Sequence, residues 1–114
     1  MPTDHKSFEG RLVLITGGSS GIGLALARLL AGDGARVWIL ARHKDALEGA
    51  IRSLPAPHGA VHGRISADVT DAQAVSAAVR RVRDEAGVPD IVINAAGASH
   101  PASLWTLCER NDRA

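Results

Sequence analysis

Four short aliphatic runs, separated by segments whose apolar residues recur at helical spacing, organise this chain. The first, Leu12-Val13-Leu14-Ile15, is entered from the polar Lys6 to Gly10 and closed by Thr16-Gly17. An unbroken aliphatic run bounded by glycine suits a strand buried on both faces, as in a parallel sheet covered by helices. From Gly21 the period changes. Ile22, Leu26, Leu29 and Leu30 lie at helical spacing with alanines between them, until Gly32 and Gly34 stop the run. Arg36 to Ala41 is a second strand, with Val37, Trp38, Ile39 and Leu40 consecutive. Lys44 to Leu54 then predicts a short helix ended by Pro55, and Pro55, Pro57 and Gly59 mark a surface loop.

A weaker strand is predicted over Val61 to Ala67. Thr70 followed by Gln73 forms a capping-box pattern, in which each side chain can satisfy a backbone N-H left free at a helix start. Val75, Val79, Val82 and Ala86 line one face of the helix it opens, while Arg80, Arg81, Arg83 and Asp84 point outward; Gly87 and Pro89 end it. Asp90 to Asn94, with Ile91, Val92 and Ile93 adjacent, predicts a fourth buried strand. Strand and helix thus alternate with short links, the order of right-handed parallel crossovers, and a doubly wound α/β sheet follows. Beyond Gly97 the pattern is lost: residues 98–114 keep no period and end on Arg110-Asn111-Asp112-Arg113. The expected organisation is one domain over residues 1–97 and an irregular tail.

Composition narrows the partners. At 114 residues, 46% of them hydrophobic, the chain accommodates one globular domain. Thirteen basic against twelve acidic residues lack the excess that grips nucleic acid, and two Trp, one Phe and no Tyr offer no platform for base stacking. Cys108 is the only cysteine, which excludes a disulfide framework or a multi-thiolate metal site and fits a cytoplasmic setting. No signal-peptide pattern precedes Arg11, and no segment reaches the ~20 apolar residues of a membrane span. The five histidines show no zinc spacing and are expected as solvated loop or strand-end residues.

The chemistry concentrates in Thr16-Gly17-Gly18-Ser19-Ser20-Gly21-Ile22-Gly23, between the first strand and the first helix. There a pyrophosphate would meet free N-H groups and the positive end of the helix dipole. Gly17 permits the tight turn, Gly21 lets the backbone approach the phosphates, Gly23 lets the helix pack close on the strand, and Ser19 and Ser20 add hydroxyl donors. The alternative is a plain glycine-rich turn, which position and spacing oppose.

The Gly-x-x-x-Gly-x-Gly spacing after a Thr resembles that of the short-chain dehydrogenase/reductase family. Asp68-Val69, after the third strand, resembles the family's adenine-contacting Asp and its neighbour. Asn94-Ala95-Ala96-Gly97 resembles its Asn-Asn-Ala-Gly motif, with Ala95 replacing the second Asn. Asp68 can alternatively serve as a turn residue before a helix, and Asn94 as a brace between strand and loop. The resemblance covers Arg11 to Gly97 and implies a Rossmann-type sheet, here incomplete, with strand order 3-2-1-4 and its last strand at an edge. Within the family, the Gly-Gly-Ser-Ser-Gly loop with the later Leu-Ala-Arg is similar to the 3-ketodihydrosphingosine reductases, a 3-oxoacyl reductase being the close alternative.

At the end of the second strand, where NAD enzymes place an acid for the ribose hydroxyls, stand Ala41-Arg42-His43-Lys44. A guanidinium offers fixed donors and positive charge to a 2′-phosphate, so Arg42 predicts NADP(H), with Lys44 as a helper. The resemblance also implies a catalytic Tyr assisted by Lys, with a Ser polarising the carbonyl; no Tyr is present, and no catalytic or metal-binding residue is assigned. Asn111 lies too soon after Asn94 to be the family's catalytic Asn, Ser99 and Ser103 have no assignable base, and Cys108 reads as a small apolar residue. The expectation is a truncated or frameshifted cofactor-binding fragment of an NADP(H)-dependent oxidoreductase, inactive alone. The later helices through which family members pair are not in this sequence, so a family-like dimer is not implied. The alternative is a non-catalytic nucleotide-binding or regulatory module that lends its sheet edge to another chain.

Overall fold

A computed structural model of the chain describes residues 8–17, 21–57 and 59–95. Its elements are β1 (Leu12–Thr16), α1 (Gly21–Gly32), β2 (Arg36–Ala41), α2 (Lys44–Ser53), β3 (Gly63–Ser66), α3 (Ala72–Glu85) and β4 (Ile91–Asn94). The strands form one parallel sheet in the order β3-β2-β1-β4, as the sequence implies. Side-chain alternation explains why the runs are continuously aliphatic. Val13 and Ile15 of β1 and Val37, Ile39 and Ala41 of β2 join Ala27, Leu30 and Ala31 of α1 and Leu47 and Ala50 of α2. Leu12, Leu14, Trp38 and Leu40 point the other way, against Val75, Ala78, Val79 and Val82 of α3. Both faces of the central strands are therefore dry.

Five expectations change in detail. The large apolar residues of α1 mark its inner face only in part: Leu30 is buried with Gly23, Ala27 and Ala31, whereas Ile22 is 78% and Leu29 63% exposed. The helix is apolar on most sides, and its small residues form the stripe that approaches the sheet. The cap of α3 is Asp71 rather than Thr70, its carboxylate accepting from the Gln73 and Ala74 N-H groups. Thr70 is instead engaged with Asp68. β3 begins at Gly63, two residues later than expected, and Val61 is 74% exposed. β4 is half-buried rather than buried. Finally, His62 is not simply solvated. Its Nδ1 accepts from the Val37 N-H at 3.0 Å, which leaves the proton on Nε2, 2.8 Å from the Pro55 carbonyl oxygen. The ring thereby ties the α2-β3 connection to the entry of β2. The expected tail, together with Ser99, Ser103, Cys108, Asn111, His5, His58 and His100, lies outside the described residues.

The strand register decides where the motifs meet. Thr16 pairs with Leu40 and Asn94, and Ala41 pairs with Ser66, so the carboxyl ends of all four strands finish along one rim. Asp90 anchors the opposite end, its carboxylate accepting from the Leu12 N-H at 2.9 Å and its own N-H donating to the Leu12 carbonyl.

Candidate dinucleotide site

The turn after β1 leaves the sheet through a glycine with φ of 74°, whose N-H donates to the Leu40 carbonyl at 2.8 Å. This is Gly17. Four residues later Gly21 has φ of 58° at the start of α1. A side chain strains either position, which is why the turn takes glycine at both. Among the described residues, a Cβ added to Gly21 would meet no atom beyond its own turn and helix within 4 Å, so the space on that side is open.

That space is a cleft of about 470 Å³ along the strand ends, lined by Gly17, Gly21, Ile22, Ala41, Arg42, Ala67, Asp68, Val69, Thr70 and Ala95. Seven residues singled out from sequence are thus brought together from four separate segments. Gly23 is buried on α1 and does not line the cleft. Asn94 braces the floor, its Oδ1 accepting from the Thr16 hydroxyl at 2.8 Å, and Thr16 is fully buried. Ser19, Ser20 and Gly97 lie outside the described residues. Lys44 is not in this cleft. It lines a separate groove of about 610 Å³ along β3, between α2 and α3.

Asp68 is a turn residue before α3 that also lines the cleft. Its Oδ1 accepts from the Thr70 hydroxyl at 2.7 Å and the Thr70 N-H at 2.9 Å, closing a turn into α3, while the residue still lines the cleft. The hydroxyl bond first, and the backbone bond second, hold its carboxyl below the ordinary carboxylate range; burial opposes them, and the Arg42 guanidinium acts in their direction. The residues missed from sequence, Ala41, Ala67 and Thr70, adjoin recognised ones, and Thr70 was read for its helix-capping pattern alone.

A Thr70→Val substitution tests this account. Because the folded value is depressed, Asp68 contributes stability that is present above its unfolded pKa and lost as pH falls through the lower folded one. Removing the hydroxyl should raise the Asp68 pKa toward its ordinary value, so that this contribution shrinks. Carboxyl NMR titration reads the shift directly, and an unmoved Asp68 would refute the assignment. The helix should remain, since Asp71 caps it.

A glycine turn at a helix start, under the carboxyl ends of a 3-2-1-4 parallel sheet, defines a Rossmann-type dinucleotide-binding architecture. The short chain dehydrogenase family model matches residues 11–112, and the chain belongs to that family. A 3-dehydrosphinganine reductase of Arabidopsis thaliana is 49% identical over 85 residues, covering 75% of this chain and 25% of the relative. The L-sorbose reductase of Gluconobacter frateurii, solved with NADPH and L-sorbose, superposes with a TM-score of 0.75 at 33% identity, over 93% of this chain and 46% of that one. An NAD+-bound xylitol dehydrogenase superposes with a TM-score of 0.70 at 34% identity, over 75% of this chain and 32% of that one. The chain therefore spans a quarter to under half of the length of these proteins. Among the described residues, no helix is long and apolar enough to cross a membrane.

Proposed function

We propose that this chain is the NADP(H)-binding unit of an oxidoreductase that interconverts a carbonyl and an alcohol. The observation that carries the cofactor choice is Arg42, exposed at the end of β2 on the rim of the cleft, where an acid would serve the unphosphorylated ribose. Gly17 and Gly21 present bare peptide to the diphosphate, Asp68 and Val69 flank the adenine, and Asn94, Ala95 and Gly97 are assigned to the same cofactor. Ser19 and Ser20 supply hydroxyl donors to the phosphates, and Ile22 lies over the cleft from the first turn of α1. The bound dinucleotide supplies the hydride or accepts it. The sequence contains no tyrosine, so the proton-transferring Tyr-Lys pair of the family is not among these residues, and their part is to bind and orient the cofactor. Identity to the 3-dehydrosphinganine reductase favours a long-chain 3-keto substrate for the complete enzyme.

Equilibrium titration of the purified chain with NADPH and NADH, followed by quenching of tryptophan fluorescence, tests the proposal. NADPH should bind at least about tenfold more tightly, the equivalent of one charge-assisted hydrogen bond. Equal affinities would remove the assignment of Arg42, and no binding of either would remove the site.

A further inference from the structure

We propose that Ser66 is a positioning residue for cofactor discrimination, holding the turn that carries Arg42; this rests on the reading of Arg42 given above. Ser66 is the last residue of β3 and pairs with Ala41, the last residue of β2. Its hydroxyl donates to the Arg42 carbonyl at 3.0 Å, and the next residue, Ala67, donates its N-H to the Ala41 carbonyl at 2.9 Å. Two successive peptide carbonyls at the exit of β2 are thus tied to the end of β3.

On the far side of the bend, His43 caps α2 without a side-chain bond. The His43 carbonyl accepts from the Leu47 N-H at 3.0 Å, a bond on the helix side of the bend, and among the described residues the Ser66 hydroxyl is the side-chain tie on the Arg42 peptide itself. Arg42 is exposed, so its long side chain takes its bearing from its own backbone rather than from packing. A guanidinium recognises phosphate through a planar fork, and the benefit of that fork depends on how little orientation remains to be fixed on binding. Loosening the bend therefore weakens the contact with a 2′-phosphate and leaves the diphosphate contacts at Gly17 and Gly21 as they were. The effect falls on one cofactor only.

The test measures dissociation constants for NADP+ and NAD+ in the wild type, Ser66→Ala, Ser66→Thr, Arg42→Ala and the double variant. Ser66→Ala should weaken NADP+ about three- to tenfold, the range of one lost neutral hydrogen bond, with NAD+ within about twofold of wild type. Ser66→Thr, which keeps the hydroxyl, should restore the preference, and in the Arg42→Ala background Ser66→Ala should add nothing. Equal loss of both dinucleotides in Ser66→Ala marks a structural role and overturns the proposal. If Arg42→Ala loses the preference while Ser66→Ala keeps it, the proposal fails alone. If Arg42→Ala still prefers NADP+, the reading of Arg42 fails and takes this proposal with it.

Discussion

Arg42→Asp is expected to weaken NADP+ binding by about a hundredfold while NAD+ binding stays equal or improves. Arg42 lies at the rim of the cleft, one residue beyond the last paired residue of β2, and is exposed. Its removal therefore costs little packing. A charge-assisted hydrogen bond contributes about 1.5–3 kcal/mol, and the aspartate adds repulsion of a 2′-phosphate to that loss. The same carboxylate can accept from the hydroxyls of an unphosphorylated ribose, which is why the two cofactors should respond in opposite directions. The measurement is a pair of titrations on one folded variant, repeated at high salt. The NADP+ preference of the wild type should shrink as salt rises, because an exposed charge pair is screened. A variant that binds NADP+ as the wild type does would show that Arg42 is an ordinary surface residue.

Gly21→Val should abolish the distinction by removing both ligands, with each dinucleotide weakened at least about thirtyfold. Gly21 holds φ of 58°, a left-handed conformation that a branched residue enters at a cost of about 1–2 kcal/mol. Among the described residues, no atom outside its own turn and helix stands within 4 Å of where its Cβ would go, so the substitution need not displace the rest of the described fold. The new side chain projects into the cleft. Its methyl groups occupy the space from which a diphosphate would reach the first N-H groups of α1. The thermal midpoint should fall by about 5–15 °C from the backbone strain, and the fold should persist at room temperature. Near-wild-type affinity in this variant would place the phosphates elsewhere. Together the two substitutions separate the parts of the site: Arg42→Asp acts on one cofactor and Gly21→Val on both.

The strands were legible from sequence for a direct reason. β1 and β2 are buried on both faces between their polar ends, Thr16 and Arg36, so successive positions there are apolar, and continuous aliphatic runs are what such strands look like. The face of α1 was not legible, because a helix apolar on most sides gives periodicity no contrast, and Gly23, Ala27 and Ala31 were chosen by their size. The cap of α3 was misplaced by one residue for a different reason. Thr70 and Asp71 can both cap, and only the engagement of Thr70 with Asp68, on the turn leaving β3, leaves the role to Asp71.

The residue types and spacings by themselves determined the parallel α/β class, the glycine turn at a helix start and the basic residue after β2. These are local requirements of backbone conformation, burial and charge, and each is written within a few neighbouring positions. What only the tertiary structure decided is which of those positions share a space. Register brings the ends of β1, β2, β3 and β4 to one rim, placing Arg42 and Asp68 on the same cleft while turning Lys44 toward another groove. Contacts of that kind, including the Ser66 hydroxyl on the Arg42 carbonyl and His62 on the Val37 N-H, join residues about 25 positions apart. No local pattern specifies them, because they follow from how strands pair rather than from what any one strand contains.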